Sequence, residues 1–203
     1  MAITRRQLFS GIAKAGVPAV VAVAVGTDVL QAGEHIPVPS AAVGLLYDAS
    51  VCIGCKACVS ACAEANSTPP DTRGDALHQA PHDLNDLTRN VIKLYKPEDG
   101  SPFSFVKRQC MQCLDPACAA GCPFQALHKD PESGVVKWDA SKCIGCRYCT
   151  ITCPYQIPKF QWLGFNPRVT KCELCSDRLD KGLKPGCTSV CPTGAVIFGP
   201  RSV

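Results

Sequence analysis

Apolar positions along the chain gather into brief runs separated by polar stretches. Asn90–Tyr95, Phe103–Lys107, Gly134–Trp138 and Ala195–Phe198 read as short β-strands. Ala57–Ala63 and Tyr148–Cys153 read as short helices, and Pro154 and Pro123 interrupt continuation. Residues 63–89 are polar and rich in Pro, Asp and Asn, with Pro69-Pro70 and Pro81, which predicts a long surface excursion. Residues 155–170 concentrate Tyr155, Phe160, Trp162 and Phe165, either as a partner interface or as core.

One apolar run stands apart. It extends from Gly16 to Gly26 and follows the twin-arginine pair Arg5-Arg6 in Thr4-Arg5-Arg6-Gln7-Leu8-Phe9. No acidic residue precedes Asp28, and Ala24, Gly26 and Ala32 offer cleavage points. Spanning a bilayer takes about 20 apolar residues, more than this run supplies. Residues 1–32 therefore read as a twin-arginine export signal, and 33–203 as the mature domain. No later stretch is apolar enough to span, so the mature chain is expected to be soluble or peripheral, on the periplasmic side.

Composition changes the picture at one residue type. Among 203 residues there are 16 cysteines, far above the usual share, while aromatics make up only 6%. Three uses compete: disulfides, zinc or iron–sulfur clusters. The formal charge of +4 does not point to nucleic acid, because Lys and Arg are scattered without a basic stripe. An oxidised cubane with its four thiolates carries about −2, so four of them would leave the loaded protein mildly acidic.

The cysteines fall into four groups of four with none left over: Cys52, Cys55, Cys58, Cys62; Cys110, Cys113, Cys118, Cys122; Cys143, Cys146, Cys149, Cys153; and Cys172, Cys175, Cys187, Cys191. Groups one and three are repeats. Asp48-Ala49-Ser50-Val51-Cys52-Ile53-Gly54-Cys55 returns as Asp139-Ala140-Ser141-Lys142-Cys143-Ile144-Gly145-Cys146. Groups two and four correspond through Cys122-Pro123 with Ala126-Leu127, and Cys191-Pro192 with Ala195-Val196. The chain is built from two copies of a smaller unit.

The spacing selects the chemistry. C-x2-C-x2-C turns three sulfurs around one compact core, and in two-cluster ferredoxins the fourth cysteine ligates the other cluster. Gly54 and Gly145 lie between ligands, where a missing Cβ lets backbone N–H groups approach sulfur. Zinc sites use cysteine pairs and have no place for the third and fourth residues of each group. Disulfides fit an exported protein but do not explain four equal quartets. A three-iron cluster usually goes with a missing ligand, and none is missing.

With these residues in view, the chain resembles the four-cluster iron–sulfur subunits of respiratory oxidoreductases over about residues 44–200. Within that set it most resembles the electron-transfer subunit of hydrogenase-2 type nickel–iron hydrogenases. The residues behind this are Gly44-Leu45-Leu46-Tyr47-Asp48, Phe105-Val106-Lys107-Arg108-Gln109-Cys110-Met111-Gln112-Cys113, Lys171-Cys172-Glu173-Leu174-Cys175 and Arg178-Leu179-Asp180-Lys181-Gly182. The resemblance implies crossed ligation of four [4Fe–4S] clusters. Cys52, Cys55 and Cys58 share one with Cys191; Cys172, Cys175 and Cys187 share one with Cys62. Cys110, Cys113 and Cys118 join Cys153, and Cys143, Cys146 and Cys149 join Cys122. The implied fold is α+β, two interlocked bacterial-ferredoxin-like modules, one from 44–64 with 168–200 and one from 90–167. Two features depart from the family: Ala63 follows Cys62 where proline follows the other fourth cysteines, and relatives often continue into a hydrophobic C-terminal anchor beyond the point reached by Val203.

The resemblance implies a non-catalytic electron conduit between a catalytic subunit and an integral membrane quinone-reactive subunit. A nickel–iron hydrogenase is the favoured partner. A molybdenum or tungsten enzyme, such as a formate dehydrogenase or a polysulfide or dimethyl sulfoxide reductase, is the alternative. A cysteine-rich structural protein without redox activity is a third reading, and no nucleic-acid partner is expected. His35, His78, His82 and His128 are isolated and read as surface residues. Lys56, Arg147 and Lys171 lie beside ligands and read as ordinary solvated charges rather than groups that raise cluster potentials.

Overall fold

The computed structural model describes residues 37–69, 82–161 and 168–201. The signal reading on residues 1–32, His35, His78, Trp162, Phe165 and the centre of the polar excursion lie outside them. Among the described residues the architecture is four two-stranded antiparallel sheets and five short helices. β1 (Val43–Tyr47) pairs with β8 (Val196–Pro200), joining the two ends of the described residues, with Leu45 opposite Phe198. β2 (Asn90–Tyr95) pairs with β3 (Ser104–Gln109), β4 (Leu127–Lys129) with β5 (Val136–Trp138), and β6 (Lys159–Gln161) with β7 (Arg168–Thr170). The helices are α1 (Ala57–Ala65), α2 (Ala117–Ala120), α3 (Tyr148–Thr152), α4 (Ser176–Leu179) and α5 (Gly186–Ser189).

Prolines set the helix lengths. α2, α3 and α5 stop just before Cys122-Pro123, Cys153-Pro154 and Cys191-Pro192. A residue before proline is driven out of the helical region, and Cys153 accordingly sits at φ −73°, ψ 115°. Ala63 imposes no such stop, so α1 runs through Cys62 to Ala65. Glycine sets how closely helices approach. A Cβ on Gly186 would stand 2.9 Å from the Ala61 carbonyl and 3.2 Å from the Ala65 Cβ, so α5 can lie against α1 only without one.

The repeat in sequence is a repeat in structure. Asp48 Oδ1 accepts hydrogen bonds from the Ser50 N–H and hydroxyl at 2.8 and 2.6 Å, and Asp139 does the same for Ser141 at 2.9 and 2.6 Å. These turns aim each following cysteine loop. The Asp48 N–H donates to Ala195 O at 2.8 Å and the Asp139 N–H to Ala126 O at 2.7 Å. Group one is thereby tied to the strand after group four, and group three to the strand after group two.

Because aromatics are scarce, cysteine itself fills the interior. One cluster joins Leu84, Val91, Leu127, Val136, Ile157, Phe160 and Val169 with Cys118, Cys149 and Cys153. A second packs Ile92 and Val196 with Cys58 and Cys187, and a third packs Val135 and Leu174 with Cys172. Phe160 is thus core, whereas Tyr155 is exposed.

Candidate iron–sulfur centres

The sixteen cysteines are free thiols. Folding brings cysteines of one sequence group together with a cysteine of another. Cys52, Cys55, Cys58 and Cys191 line one recess of about 310 Å³, mouth included, with Tyr47, Ile92 and Val196. Cys122, Cys143, Cys146 and Cys149 line a second, of about 330 Å³, with Phe124, Trp138 and Phe160. Deeper in the protein, the Cys118 thiol feels the charges of Cys110, Cys153 and Cys113. The Cys62 thiol feels Cys175 and Cys187, and Cys172 feels Cys62 and Cys187.

These four sets follow one another in space. Cys149 of one surface set feels Cys118 of its neighbour, Cys172 feels Cys110, and Cys58 feels Cys187. The order is therefore the Cys143 set, the Cys110 set, the Cys172 set and the Cys52 set. The end sets each carry an exposed cysteine, Cys146 or Cys55, while every cysteine of the two middle sets is buried or half-buried.

Burial dominates the thiol chemistry. It pushes the Cys62, Cys118 and Cys149 thiols up to about 11 and Cys172 to about 12, with neighbouring sulfurs adding to the rise. Cys191 differs. Burial raises it, but N–H donors from Val196, Thr193 and Ala195 and the Thr193 hydroxyl outweigh that and bring it below the ordinary thiol value. Metal binding to such thiols displaces protons, so loading is coupled to pH.

Backbone geometry shows what the sets are built to hold. In all four groups the residue before the second cysteine is left-handed: Gly54 at φ +69°, Gln112 at +50°, Gly145 at +74° and Leu174 at +53°. Such turns make anion-binding concavities of N–H groups. The Gln112 N–H donates to the Cys110 sulfur and the Leu174 N–H to Cys172. A non-glycine residue held there costs about 1–2 kcal/mol, which the surrounding fold must sustain. Glycine made two of these positions legible in the sequence; Gln112 and Leu174 carry no such signal. At Gly54 the missing Cβ also makes room for the Phe105 ring, whose nearest atom would lie 2.3 Å away.

Side chains that the spacing could not identify complete the sites. The Asn66 amide reaches the Cys62 sulfur at 3.5 Å, and Asn90, 2% exposed, also hydrogen-bonds that thiol. The Tyr47 hydroxyl donates to Phe105 O at 2.8 Å, and burial beside Cys52, Cys58 and Cys191 raises its ionisation well above the ordinary phenol value. Gln112, 4% exposed, donates to Cys172 O at 2.8 Å and accepts from the Val136 N–H at 2.7 Å, linking groups two and four.

The reading of Lys171 as a solvated charge is corrected. Its side chain is wholly buried, and its ammonium donates to Val136 O and Cys172 O and faces Glu173 Oε1 at 3.8 Å. Acceptors on three sides compensate the lost water. Arg147 is exposed as expected, and Lys56 is half-buried. His82 is exposed, whereas His128 is half-buried in β4. Lys107 is a second buried lysine, and its Nζ meets no hydrogen-bond partner among the described residues.

The donor set fits an anionic metal–sulfide core. Four cysteines per set can supply the thiolates of such a core, and the N–H groups turned toward sulfur and an orphaned buried ammonium beside three thiols offset its negative charge.

Residues 102–201 match the family described as a 4Fe–4S dicluster domain. The chain is 40% identical to hydrogenase-2 operon protein HybA of Escherichia coli over 181 residues, covering 84% of this chain and 55% of that protein. It is 38% identical to the formate dehydrogenase-O iron–sulfur subunit of Escherichia coli over 166 residues, covering 78% and 53%. A formate dehydrogenase iron–sulfur subunit of Haemophilus influenzae is 35% identical over 178 residues, covering 84% and 54%. The chain spans about half the length of the curated relatives it matches. With its cysteine quartets, its paired short strands and these relatives, the chain carries a 4Fe–4S dicluster domain over residues 102–201.

Proposed function

We propose that this chain conducts electrons through four [4Fe–4S] clusters, acting as a non-catalytic subunit between a catalytic oxidoreductase subunit and a membrane quinone-reactive subunit. One set of ligands is Cys52, Cys55, Cys58 and Cys191, and a second is Cys62, Cys172, Cys175 and Cys187. The third is Cys110, Cys113, Cys118 and Cys153, and the fourth is Cys122, Cys143, Cys146 and Cys149. The observation that carries the reading is the convergence of cysteines from paired sequence groups on common recesses, in a linear order with an exposed thiol at each end. A bound cubane supplies one-electron exchange, so a chain of them divides two-electron chemistry into single steps. The protein fixes their spacing, sets their surroundings through N–H donors and buried charge, and keeps the middle sets from water. Crossed ligation makes two interlocked ferredoxin-like modules, with groups one and four in one and groups two and three in the other.

The favoured catalytic partner is a nickel–iron uptake hydrogenase, supported by the 40% identity to the hydrogenase-2 operon protein. The relatives named as formate dehydrogenase subunits favour a molybdenum or tungsten enzyme as the second reading. Arg5-Arg6 and the apolar run after it support twin-arginine export to the periplasm. No helix among the described residues is long and apolar enough to cross a membrane. Anaerobic purification with iron and sulfide analysis tests the proposal. About sixteen iron atoms per chain are expected from four cubanes. Thiols or disulfides without iron would overturn it. Co-purification of a nickel–iron pair or of a pterin-bearing subunit decides between the two partners.

A further inference from the structure

β3 turns its side chains against their chemistry. Val106 is 47% exposed, while the next residue, Lys107, is only 9% exposed. Alternation along a strand places neighbours on opposite faces, so a register shifted by one would bury the valine and free the lysine. The register observed sets Lys107 opposite Ile92, which packs with Cys58, Cys187 and Val196. An ammonium taken from water needs an acceptor or an anion, and Nζ meets no hydrogen-bond partner among the described residues. A local rule broken without internal compensation marks a functional position.

The surroundings of Lys107 say which anion. Its charge reaches Cys58, a member of the Cys52 set, and Cys62 and Cys187, both members of the Cys172 set. Lys107 therefore stands at the junction of two sets and belongs to neither. Lys171 offers a contrast, since Glu173 and two carbonyls already partner its ammonium. Lys107 has no hydrogen-bond partner among the described residues, and its charge acts on thiols of two sets, whereas that of Lys171 acts on Cys110 and Cys118 of one.

We propose that Lys107 is an internal counter-ion shared by the clusters on Cys52, Cys55, Cys58 and Cys191 and on Cys62, Cys172, Cys175 and Cys187, holding both at a higher reduction potential than their ligands alone would give. The inference rests on the four-cluster reading above. Adding one electron takes a cluster with its thiolates from about −2 to about −3. The electron arrives from a neighbouring reduced centre, no bond is made or broken, and no proton moves. A fixed positive charge favours the more negative state of each cluster it faces, and does so most in a dry interior.

The test uses the full chain purified anaerobically with its clusters, followed by potentiometric titration with electron paramagnetic resonance. Signals are assigned by those that Cys55→Ala and Cys175→Ala remove. Lys107→Met is expected to shift the oxidised-to-reduced ratio of those two clusters toward oxidised by about tenfold or more at fixed potential. That is a fall of about 59 mV or more for a one-electron couple. The other two clusters stay in place, and Lys107→Arg restores the wild-type values. Lys107→Gln serves in the same way if the methionine variant does not take up iron. Unchanged potentials in a variant with full iron content, an equal shift in all four clusters, or an arginine variant that behaves like the methionine one would overturn the proposal. A wild-type chain that holds no iron would instead overturn the four-cluster reading.

Discussion

Gly54 lies between Cys52 and Cys55, and its replacement by alanine should loosen that loop by a predictable amount. Its φ of +69° strains any residue with a Cβ, at about 1–2 kcal/mol. The new methyl would also stand 2.3, 2.4 and 2.7 Å from three carbons of the Phe105 ring. Forcing extra volume into packed surroundings costs about 1–3 kcal/mol. The two together give about 2–5 kcal/mol. Gly194 supplies an internal reference, because it has the same φ of +69° with nothing within 4 Å of its would-be Cβ. Gly194→Ala should therefore cost only the first component, about 1–2 kcal/mol. For a chain of this size each kcal/mol moves a thermal midpoint by about 2–4 °C. Thermal scans of the cluster-loaded protein at one fixed rate, read by visible absorption, compare the two variants. Gly54→Ala should melt about 2–12 °C below Gly194→Ala. Adding Phe105→Leu to Gly54→Ala should close most of that gap. Equal midpoints for the two glycine variants, or a double variant that recovers nothing, would refute the reasoning.

Gln112→Ala removes two buried hydrogen bonds and strands the Val136 N–H, while the Cys172 carbonyl keeps the Lys171 ammonium, so a loss of about 1–3 kcal/mol is expected by denaturant titration of the loaded protein. Ala63→Pro should truncate α1 at the point where its counterparts stop, costing about 3 kcal/mol, because α1 alone continues past its fourth cysteine; the loss is read by circular dichroism and thermal midpoint. Asp130, hydrogen-bonded to Lys137 at 2.7 Å and to the Ser133 and Glu132 N–H groups, is held below the ordinary carboxylate range. Its contribution is present above the unfolded carboxylate value near 4 and is lost as pH falls through the lower folded value. Asp130→Asn should thus flatten the acid side of a stability–pH curve while changing little of its shape above pH 6.

The cysteine quartets were legible because metal chemistry dictates spacing, and the Asp-Ala-Ser repeat because the same turn precedes two loops. The longer strands were legible too, shifted by a residue or two. Phe103–Lys107 became Ser104–Gln109, with Phe103 left exposed outside the strand, and Gly134–Trp138 shrank to Val136–Trp138 with Gly134 in the turn at φ +66°. Three-residue strands such as Leu127–Lys129 and Lys159–Gln161 are too short for any period to show. α1 outran Ala63 because only its missing proline, not its composition, decides where it ends. The pairing of β1 with β8 joins the two ends of the described residues and leaves no local mark. The least legible features were the buried lysines. Lysine in a sequence reads as solvent-facing. Lys171 and Lys107 are inside because the fold surrounds one with acceptors and the other with thiols. Gln112 and Leu174 likewise take left-handed conformations that their side chains do not announce.

Ligation that crosses between sequence groups has a direct consequence for iron stoichiometry. Iron content of Cys52→Ala, Cys191→Ala and the double variant tests it directly. If both cysteines serve one cluster, each single variant and the double variant hold about twelve iron atoms, four fewer than the wild type. If the double variant instead holds about eight, Cys52 and Cys191 serve different clusters and the crossed arrangement is wrong.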